Sequence, residues 1–337
     1  LGADGEPKKV LDKFTGENEM YEITTRNGSH TVSKGHLVRV IEKYCINGKY
    51  HNGVRDKAQF YERVADIPVE ELYKKKDNVT FKTNYKIYQA EDIEFEPKDV
   101  KIDPYILGLW LSDGRSNTDQ IVNTNYQLLD YLVANYDGVV KDRKRYTATE
   151  KDSYEFKFNQ RKELKEYNLM FNKHIPHIYY TCSIEQRLEL LAGIIDGDGC
   201  YDTKCKNYSI SCGNKPLLAE QVMKLVKSLG FNSSIKNERN GSNYKVNVGG
   251  SIWRIPCKID YKIVKPFKRT INMNRTGFTI TKKEVGDFVG ITVEDELVVL
   301  NTFEVSHNCR RIGKSWGSAG MLGLHNFIFD GAIDYDD

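Results

Sequence analysis

The sequence predicts an α+β protein in which a β-rich domain is split by an inserted α/β domain with an approximate internal twofold. Three observations carry that expectation. Residues 1–97 are rich in Val, Ile, Thr, Tyr and Phe in short alternating runs, and strand-like runs return over residues 258–308. Between them, residues 98–257 contain one order of elements twice.

In the first segment the runs MYEITTR, GHLVRVIEKY and NVTFKTNYKIYQA read as strands, with turns at Asn27-Gly28 and Asn52-Gly53, so this part is expected to be all-β. The character changes near Pro97. The first copy of the repeat runs from the helix ILGLWLSDG through a strand near DQIVNTN, a helix over YQLLDYLVANYDG and the strands VVKDRKRYTA and SYEFKFN. The second runs from LAGIIDGDG through NYSISCGN, PLLAEQVMKLVKSLG, FNSSIKNER and NYKVNVGG. Such a duplication implies a pseudo-twofold assembly with one half of a shared site from each repeat. A monomer is therefore expected. The runs FTITKKE, DFVGITVED and NTFEVSHN then return to strand character.

Composition sets the limits. With 337 residues and 39% hydrophobic content, the chain is long enough for two or three cores. Fifty basic against 47 acidic residues leave a net charge of +3, so any nucleic-acid contact must come from local patches. Seven cysteines without a CxxC pair argue against a disulfide framework or zinc ribbon and for a reducing compartment. There is no apolar run of about 18 residues and no hydrophobic leader, so the expected setting is cytoplasmic, with no membrane partner.

Asp113 and Asp198 each end a helix whose glycine, Gly108 or Gly193, lies five residues earlier. Glycine on one face lets a second backbone approach closely, and two such helices side by side bring both carboxylates to one end. Two adjacent carboxylates suit Mg²⁺, which acts on scissile phosphates. The ordinary alternative is a pair of helix ends with Gly114 and Gly199 as C-caps. Residues 191–199, LAGIIDGDG, resemble the LAGLIDADG motif at all but two positions, and residues 106–114, ILGLWLSDG, resemble it more loosely. The resemblance to LAGLIDADG homing endonucleases covers about residues 100–255 and implies Asp113 and Asp198 as metal ligands. By the same mapping Asp196 is not a ligand, and it is expected to cap or solvate the helix end. The block NKHIPHIYY is similar to the lysine-containing block ahead of the second motif, which places Lys173 as a candidate active-site lysine. An ordinary surface lysine is the competing reading. His174 and His177 are expected to be loop histidines.

Double-stranded DNA is the implied partner. A two-stranded ribbon fits the major groove, and residues 141–165 hold nine Lys or Arg against five acidic residues. Lys141, Arg143, Lys144, Arg145 and Lys157 are the candidate phosphate contacts, with Tyr146 and Tyr154 among the same strand positions. A solvated charged face is the alternative.

The second constellation is His307-Asn308-Cys309. An asparagine can close on its own carbonyl to a succinimide when a neighbour such as His307 assists, and Cys309 is a good nucleophile for acyl transfer. The run GITVEDELVVLNTFEVSHNC resembles the C-terminal splicing blocks of inteins, and VSKGHLVRV resembles their Thr-x-x-His block, with Ser33 in the threonine place and His36 in the histidine place. This resemblance spans residues 1–95 and 258–308. It implies a Hint β fold interrupted by the endonuclease, with flanking extein segments as partners and no cofactor for splicing. The family begins on a nucleophilic Cys or Ser, whereas this chain begins with Leu1, so truncation at the N-terminus is expected. Gly290 stands where the family often has Asp or Cys.

After Asn308 the sequence CRRIGKS ends in Gly313-Lys314-Ser315. A P-loop needs a further glycine five places ahead of Gly313, and that place is Asn308. A glycine ending the upstream host segment would complete the loop after splicing, so residues 309–337 are expected to be a C-extein fragment. Its Arg-Arg-x-Gly-Lys-Ser arrangement resembles the ATPase site of phage terminase large subunits. Two alternatives remain: a free-standing LAGLIDADG endonuclease or maturase, and a fragment of a terminase ATPase.

Overall fold

A computed structural model describes residues 2, 8–46, 50–51, 54–55, 59–143, 152–238, 242–268 and 275–307. It divides into two units, Leu1–Ile93 with Ile271–Asp337, and Glu94–Thr270. Residues 258–268 fall in the second.

The first segment of the split unit runs β1 (Val10–Thr25), β2 (Gly28–Ser33), β3 (Leu37–Ile46), β4 (Tyr50–His51), β5 (Val54–Arg55) and β6 (Gln59–Pro68). Then come helices α1 (Val69–Lys75) and α2 (Phe81–Asn84), and strand β7 (Tyr85–Tyr88). The β1–β2 turn contains Arg26 and Asn27, and Gly28 follows it with φ of +137°. The expectation of an all-β segment needs correction, because NVTFKTN forms a turn and α2, and α1 was not anticipated. Pro68 stands just ahead of α1, Glu70 and Glu71 occupy its first turn, and Lys74 and Lys75 its last, which suits the helix dipole. Val69 and Leu72, three apart on one face, are fully buried.

The continuous unit opens on α3 (Pro104–Asp113), capped by Asp103, whose side chain accepts from the Tyr105 and Ile106 amides, with Pro104 at the first helical position. There follow β8 (Gln120–Asn123), α4 (Tyr126–Asn135), β9 (Val139–Arg143), β10 (Ser153–Lys157) and α5 (Arg161–Glu166). The second copy is α6 (Ile184–Asp198), β11 (Gly199–Asp202), β12 (Asn207–Ser211), α7 (Pro216–Ser228), β13 (Asn232–Glu238) and β14 (Asn243–Gly249). A Ser183/Gln186 capping box starts α6. The two sheets run β8-β10-β9 and β11-β12-β14-β13, both antiparallel. Setting β11 aside, their strands correspond place for place. Even the β11 position has its counterpart, since Gly114 bridges Ile121 as Gly199 pairs with Ile210. Helix α3 is buried almost all round, with Leu107, Leu109 and Trp110 fully enclosed. Together with α6, it is the axis of one apolar core that draws on both repeats.

The chain then returns to the first unit through β15 (Arg275–Thr276), β16 (Phe278–Val293), β17 (Leu297–Val299) and β18 (Val305–His307). FTITKKE and DFVGITVED, expected as separate runs, form the single strand β16, because β1 pairs with it over nearly its whole length. One sheet is β16-β1-β2, and the other is β15-β7-β3-β18-β17, with β6 paired to β3. Their shared core includes Tyr21, Ile23, Val32, Val40, Ile87 and Phe278. No helix among the described residues is long and apolar enough to cross a membrane.

Candidate functional sites

The first site is built where α3 meets α6. A Cβ on Gly108 would lie 2.2 Å from the Leu190 carbonyl oxygen, and one on Gly193 would lie 2.1 Å from that of Tyr105. The helices therefore touch backbone to backbone, and only glycine fits at either crossing point. At the far end, a Cβ on Gly197 would fall 3.1 Å from Asp113 Oδ2, so the last turn of α6 abuts the carboxylate that ends α3. Gly114 and Gly199 hold extended rather than left-handed conformations, and their amides bond back to the Trp110 and Ile195 carbonyls. They are the C-cap residues of α3 and α6, in extended form.

Burial and the neighbouring Asp198 push the Asp113 carboxyl up to about 6, against the opposing hydrogen bond from Asn123 Nδ2 at 2.5 Å. Burial raises Asp198 as well, while Lys173, Lys215 and Lys262 pull it back. Lys173 donates to the carbonyls of Gly114 at 2.6 Å and Ser112 at 3.2 Å. Burial, then Lys215, brings its ammonium down to about 8. Lys173 is half-buried, and a lysine at the carbonyl end of a helix is stabilised by the helix dipole.

Sequence reasoning missed the counterpart at the other helix. Lys262, 3% exposed, donates to the carbonyls of Ile195 and Asp196 at 2.8 and 2.7 Å and faces both carboxylates electrostatically. Nothing local in DYKIVK marks it; only the fold carries it back to α6. A cavity of about 240 Å³ opens beside Asp198, lined by Ser112, Cys212 and Lys215 among others. Among the described residues no group of three or more His, Cys, Asp or Glu is placed to hold a metal ion. Asp113 and Asp198 are the two carboxylates here that could share a divalent cation. Asp113 is partly buried and Asp198 exposed, so a cation between them would be open to solvent.

Two expectations need correction here. Asp196 neither caps nor solvates the helix end: it is 1% exposed and accepts from the Tyr105 hydroxyl at 2.8 Å and the Lys258 amide at 2.6 Å. It ties the later segment to the helix pair. Tyr154 is no surface contact, because strand alternation turns it with Phe156 into the core.

On the opposite face of the first sheet, Lys141 pairs in register with Glu155 and Val139 with Lys157, so Lys141 and Lys157 share one face, while Arg143 pairs with Ser153 through its backbone. Lys141 and Lys157 are exposed. Glu155 stands among them, bound by Arg115 at 2.6 Å. Lys144, Arg145 and Tyr146 lie outside the described residues. The second sheet's corresponding face carries Ser209, Ser211, Lys245 and Asn247 opposite the core residues Tyr208, Ile210, Val246 and Val248. Contact was expected on the strands of each repeat, but no residue of this face was named from sequence.

The second site lies in the split unit. Ser33 ends β2 with no exposed surface, and its carbonyl accepts from the His36 amide at 3.1 Å. His36 Nε2 lies 3.0 Å from Ser306 Oγ on β18, and burial, then His30 and His307, depresses its imidazole to about 3. His307 Nε2 lies 2.9 Å from Asp66 Oδ2. Close by in sequence, Glu304 accepts from Thr25 Oγ1 at 2.7 Å and stands 3.3 Å from His30 Nδ1. The fold thus carries His36 to the strand that ends in His307. Gly290 packs on Phe14, whose ring would lie 2.2 Å from a Cβ there. Asn308, Cys309, Gly313, Lys314, Ser315 and Leu1 lie outside the described residues.

The paired aspartates on glycine-crossed helices define the class of fold, and comparison with known proteins agrees over part of the chain. Residues 185–255 match the family model of a LAGLIDADG-like domain, which covers the second repeat. The chain is similar to the replicative DNA helicase DnaB of Mycobacterium intracellulare, 24% identical over 244 residues, or 72% of this chain and 38% of that protein. It is also similar to the ATP-dependent DNA helicase Hel308 of Thermococcus kodakarensis, 28% identical over 199 residues, or 51% and 17% of the two chains. It spans well under half the length of these curated relatives. Similar solved structures include mesophilic variants of the homing endonuclease I-DmoI, at 18% identity and TM-score 0.32 over 44% of this chain and 82% of that one. Another is I-DmoI in complex with DNA and Mn, at 15% identity and TM-score 0.32 over 44% and 88%.

Proposed function

We propose that the chain is an intein, a self-excising protein segment, carrying a two-repeat homing endonuclease that cuts double-stranded DNA at a specific site. The observation that carries the nuclease reading is the meeting of Asp113 with the last turn of α6, at the end of a helix pair joined through Gly108 and Gly193. Asp113 and Asp198 would hold Mg²⁺. When bound, the ion supplies positive charge for the scissile phosphate. Lys173 adds a fixed charge beside it, and Lys262 adds a second from the opposite helix end. Lys141, Arg143, Lys144, Arg145 and Lys157 would contact the DNA backbone.

Support for splicing comes from the approach of His36 to Ser306, next to His307. In this reading Ser33 and His36 serve the N-terminal junction, and His307, Asn308 and Cys309 serve the C-terminal one. Residues 309–337 then belong to a host ATPase whose P-loop, with Gly313, Lys314 and Ser315, is completed by ligation, as in a terminase large subunit. That the curated relatives are themselves ATP-dependent or replicative helicases fits a nucleic-acid ATPase as host.

The test uses the full chain, with the upstream host residues and first nucleophile restored, incubated with duplex DNA of the uninterrupted host sequence. Asp198→Ala is expected to lose Mg²⁺-dependent cutting by about a hundred-fold or more while leaving release at the Asn308–Cys309 bond. Asn308→Ala is expected to do the reverse. Loss of both activities in both folded variants would overturn the modular reading, and an uncut precursor would favour the free-standing endonuclease or maturase.

A further inference from the structure

Lys262 is held at both ends. Its ammonium donates to the Ile195 and Asp196 carbonyls, and its own backbone carbonyl accepts from the Tyr208 hydroxyl at 2.5 Å. Tyr208 lies on β12, a strand paired on both sides, with β11 and with β14. Its side chain has no exposed surface, and its ring packs on that of Tyr201 at 5.4 Å between centroids. A phenol so enclosed is a fixed point, and burial pushes its ionisation well up, so it stays a donor. Two further bonds steady the same segment: the Lys258 amide donates to Asp196 Oδ2 at 2.6 Å, and the Lys262 amide to the Ile259 carbonyl at 2.8 Å. The tyrosine anchor belongs to the second repeat. Ile121 and Ile210 are equivalent through their pairing with Gly114 and Gly199, so Tyr208 stands where the first repeat has Asp119.

We infer that Tyr208 is a positioning residue for phosphodiester cleavage, acting through Lys262. This rests on the nuclease reading above. Lys262 faces both Asp113 and Asp198 electrostatically, and a charge assists a reaction most when it stands in place before the reacting charge develops. A lysine carries its ammonium on a flexible stem, so the charge is only as well placed as the groups that hold the stem at its two ends. The helix carbonyls hold one end and Tyr208 holds the other. Without the hydroxyl, the Lys262 carbonyl is left buried without that donor. The short helix Asp260–Lys262 then gains by shifting toward another donor, and the ammonium moves with it. Tyr208 sits in the apolar core, so its part is the place of the charge and not a proton of the reaction.

The experiment is a double-mutant cycle on the full chain, in the parent, Tyr208→Phe, Lys262→Met and the double variant. It measures Mg²⁺-dependent cutting of duplex DNA of the uninterrupted host sequence at saturating protein, and binding of the same duplex without metal. Phenylalanine fills the same space and removes only the hydroxyl. Tyr208→Phe is expected to slow cutting by about ten-fold with binding within about two-fold of the parent. Lys262→Met is expected to slow it by about a hundred-fold, and the double variant to match Lys262→Met within about two-fold, because Tyr208 then has no charge to place. If the parent cuts and either single variant cuts within about two-fold of it, the inference is overturned and the nuclease reading stands. Slowing that multiplies in the double variant, or binding lost in step with cutting, also overturns it, as a structural effect. Lys262→Gln takes the place of Lys262→Met in the cycle if the methionine variant does not fold. A parent that leaves the duplex uncut overturns the nuclease reading and the inference together.

Discussion

Charged side chains out of water are the residue-scale theme of both units. Asp196 is enclosed between Tyr105 and the Lys258 amide, so truncating it leaves a buried hydroxyl and a buried amide without an acceptor. Asp196→Ala is expected to destabilise the continuous unit by about 2–3 kcal/mol in urea unfolding. His36 works in the other direction. Its imidazole is held near 3 by burial, so the folded protein refuses a proton that the unfolded chain accepts from about pH 6.5 downward. Its stabilising contribution is full above pH 6.5 and is lost at about 1.4 kcal/mol per pH unit as the pH falls from there toward 3. Comparing urea midpoints of the parent and His36→Asn at pH 7.5 and 5.5 checks this, and equal pH dependence in the two would contradict it. His36 was singled out in sequence by its block, whereas the role of Asp196 was not legible there. Asp196 stands in a motif that draws attention to Asp198, and its partners lie 91 residues before it and 62 after.

Among the elements, the α3/α6 pair was the most legible because its signal is local: apolar helices, one glycine each, and an acidic residue five positions on. The close approach leaves no room for a methyl group, since the opposing atoms at both crossings are backbone. Gly108→Ala and Gly193→Ala are each expected to cost about 2–3 kcal/mol of stability, and to lower DNA cutting more than C-terminal release. Unchanged unfolding midpoints would show that the helices can part without penalty. Helix α1 was hidden for the opposite reason. Its seven residues follow a long strand-like run, and the Val69–Leu72 face that commits it to a helix is buried only by the rest of the unit.

For the whole molecule, the split of one β unit around an insert is the organising fact. Tyr88 on β7 pairs directly with Arg275 on β15, so the strands that lead out of and back into the β unit are hydrogen-bonded neighbours. Replacing residues 94–270 with a short Gly/Ser linker is therefore expected to leave a folded β unit that still releases residues 309–337, with DNA cutting abolished. A deletion variant that unfolds, or that cleaves at neither junction with the nucleophile restored, would contradict the separateness of the two units.

What the sequence determined by itself was whatever neighbouring residues encode. That includes the repeated helix-strand-helix order, the two Asp-Gly helix ends, the strand character of the flanks and the candidate junction at Asn308–Cys309. Tertiary structure alone decided which distant groups answer them. Lys262 returns to the carbonyl end of α6, Asp66 reaches His307 through the register of β6 on β3, and Tyr154 turns inward while Lys141 and Lys157 face out. The physical reason is the same in each case. A helix or strand declares its own period and ends, but a buried charge is satisfied by whichever partner the packing delivers, and that partner leaves no mark at the position it serves.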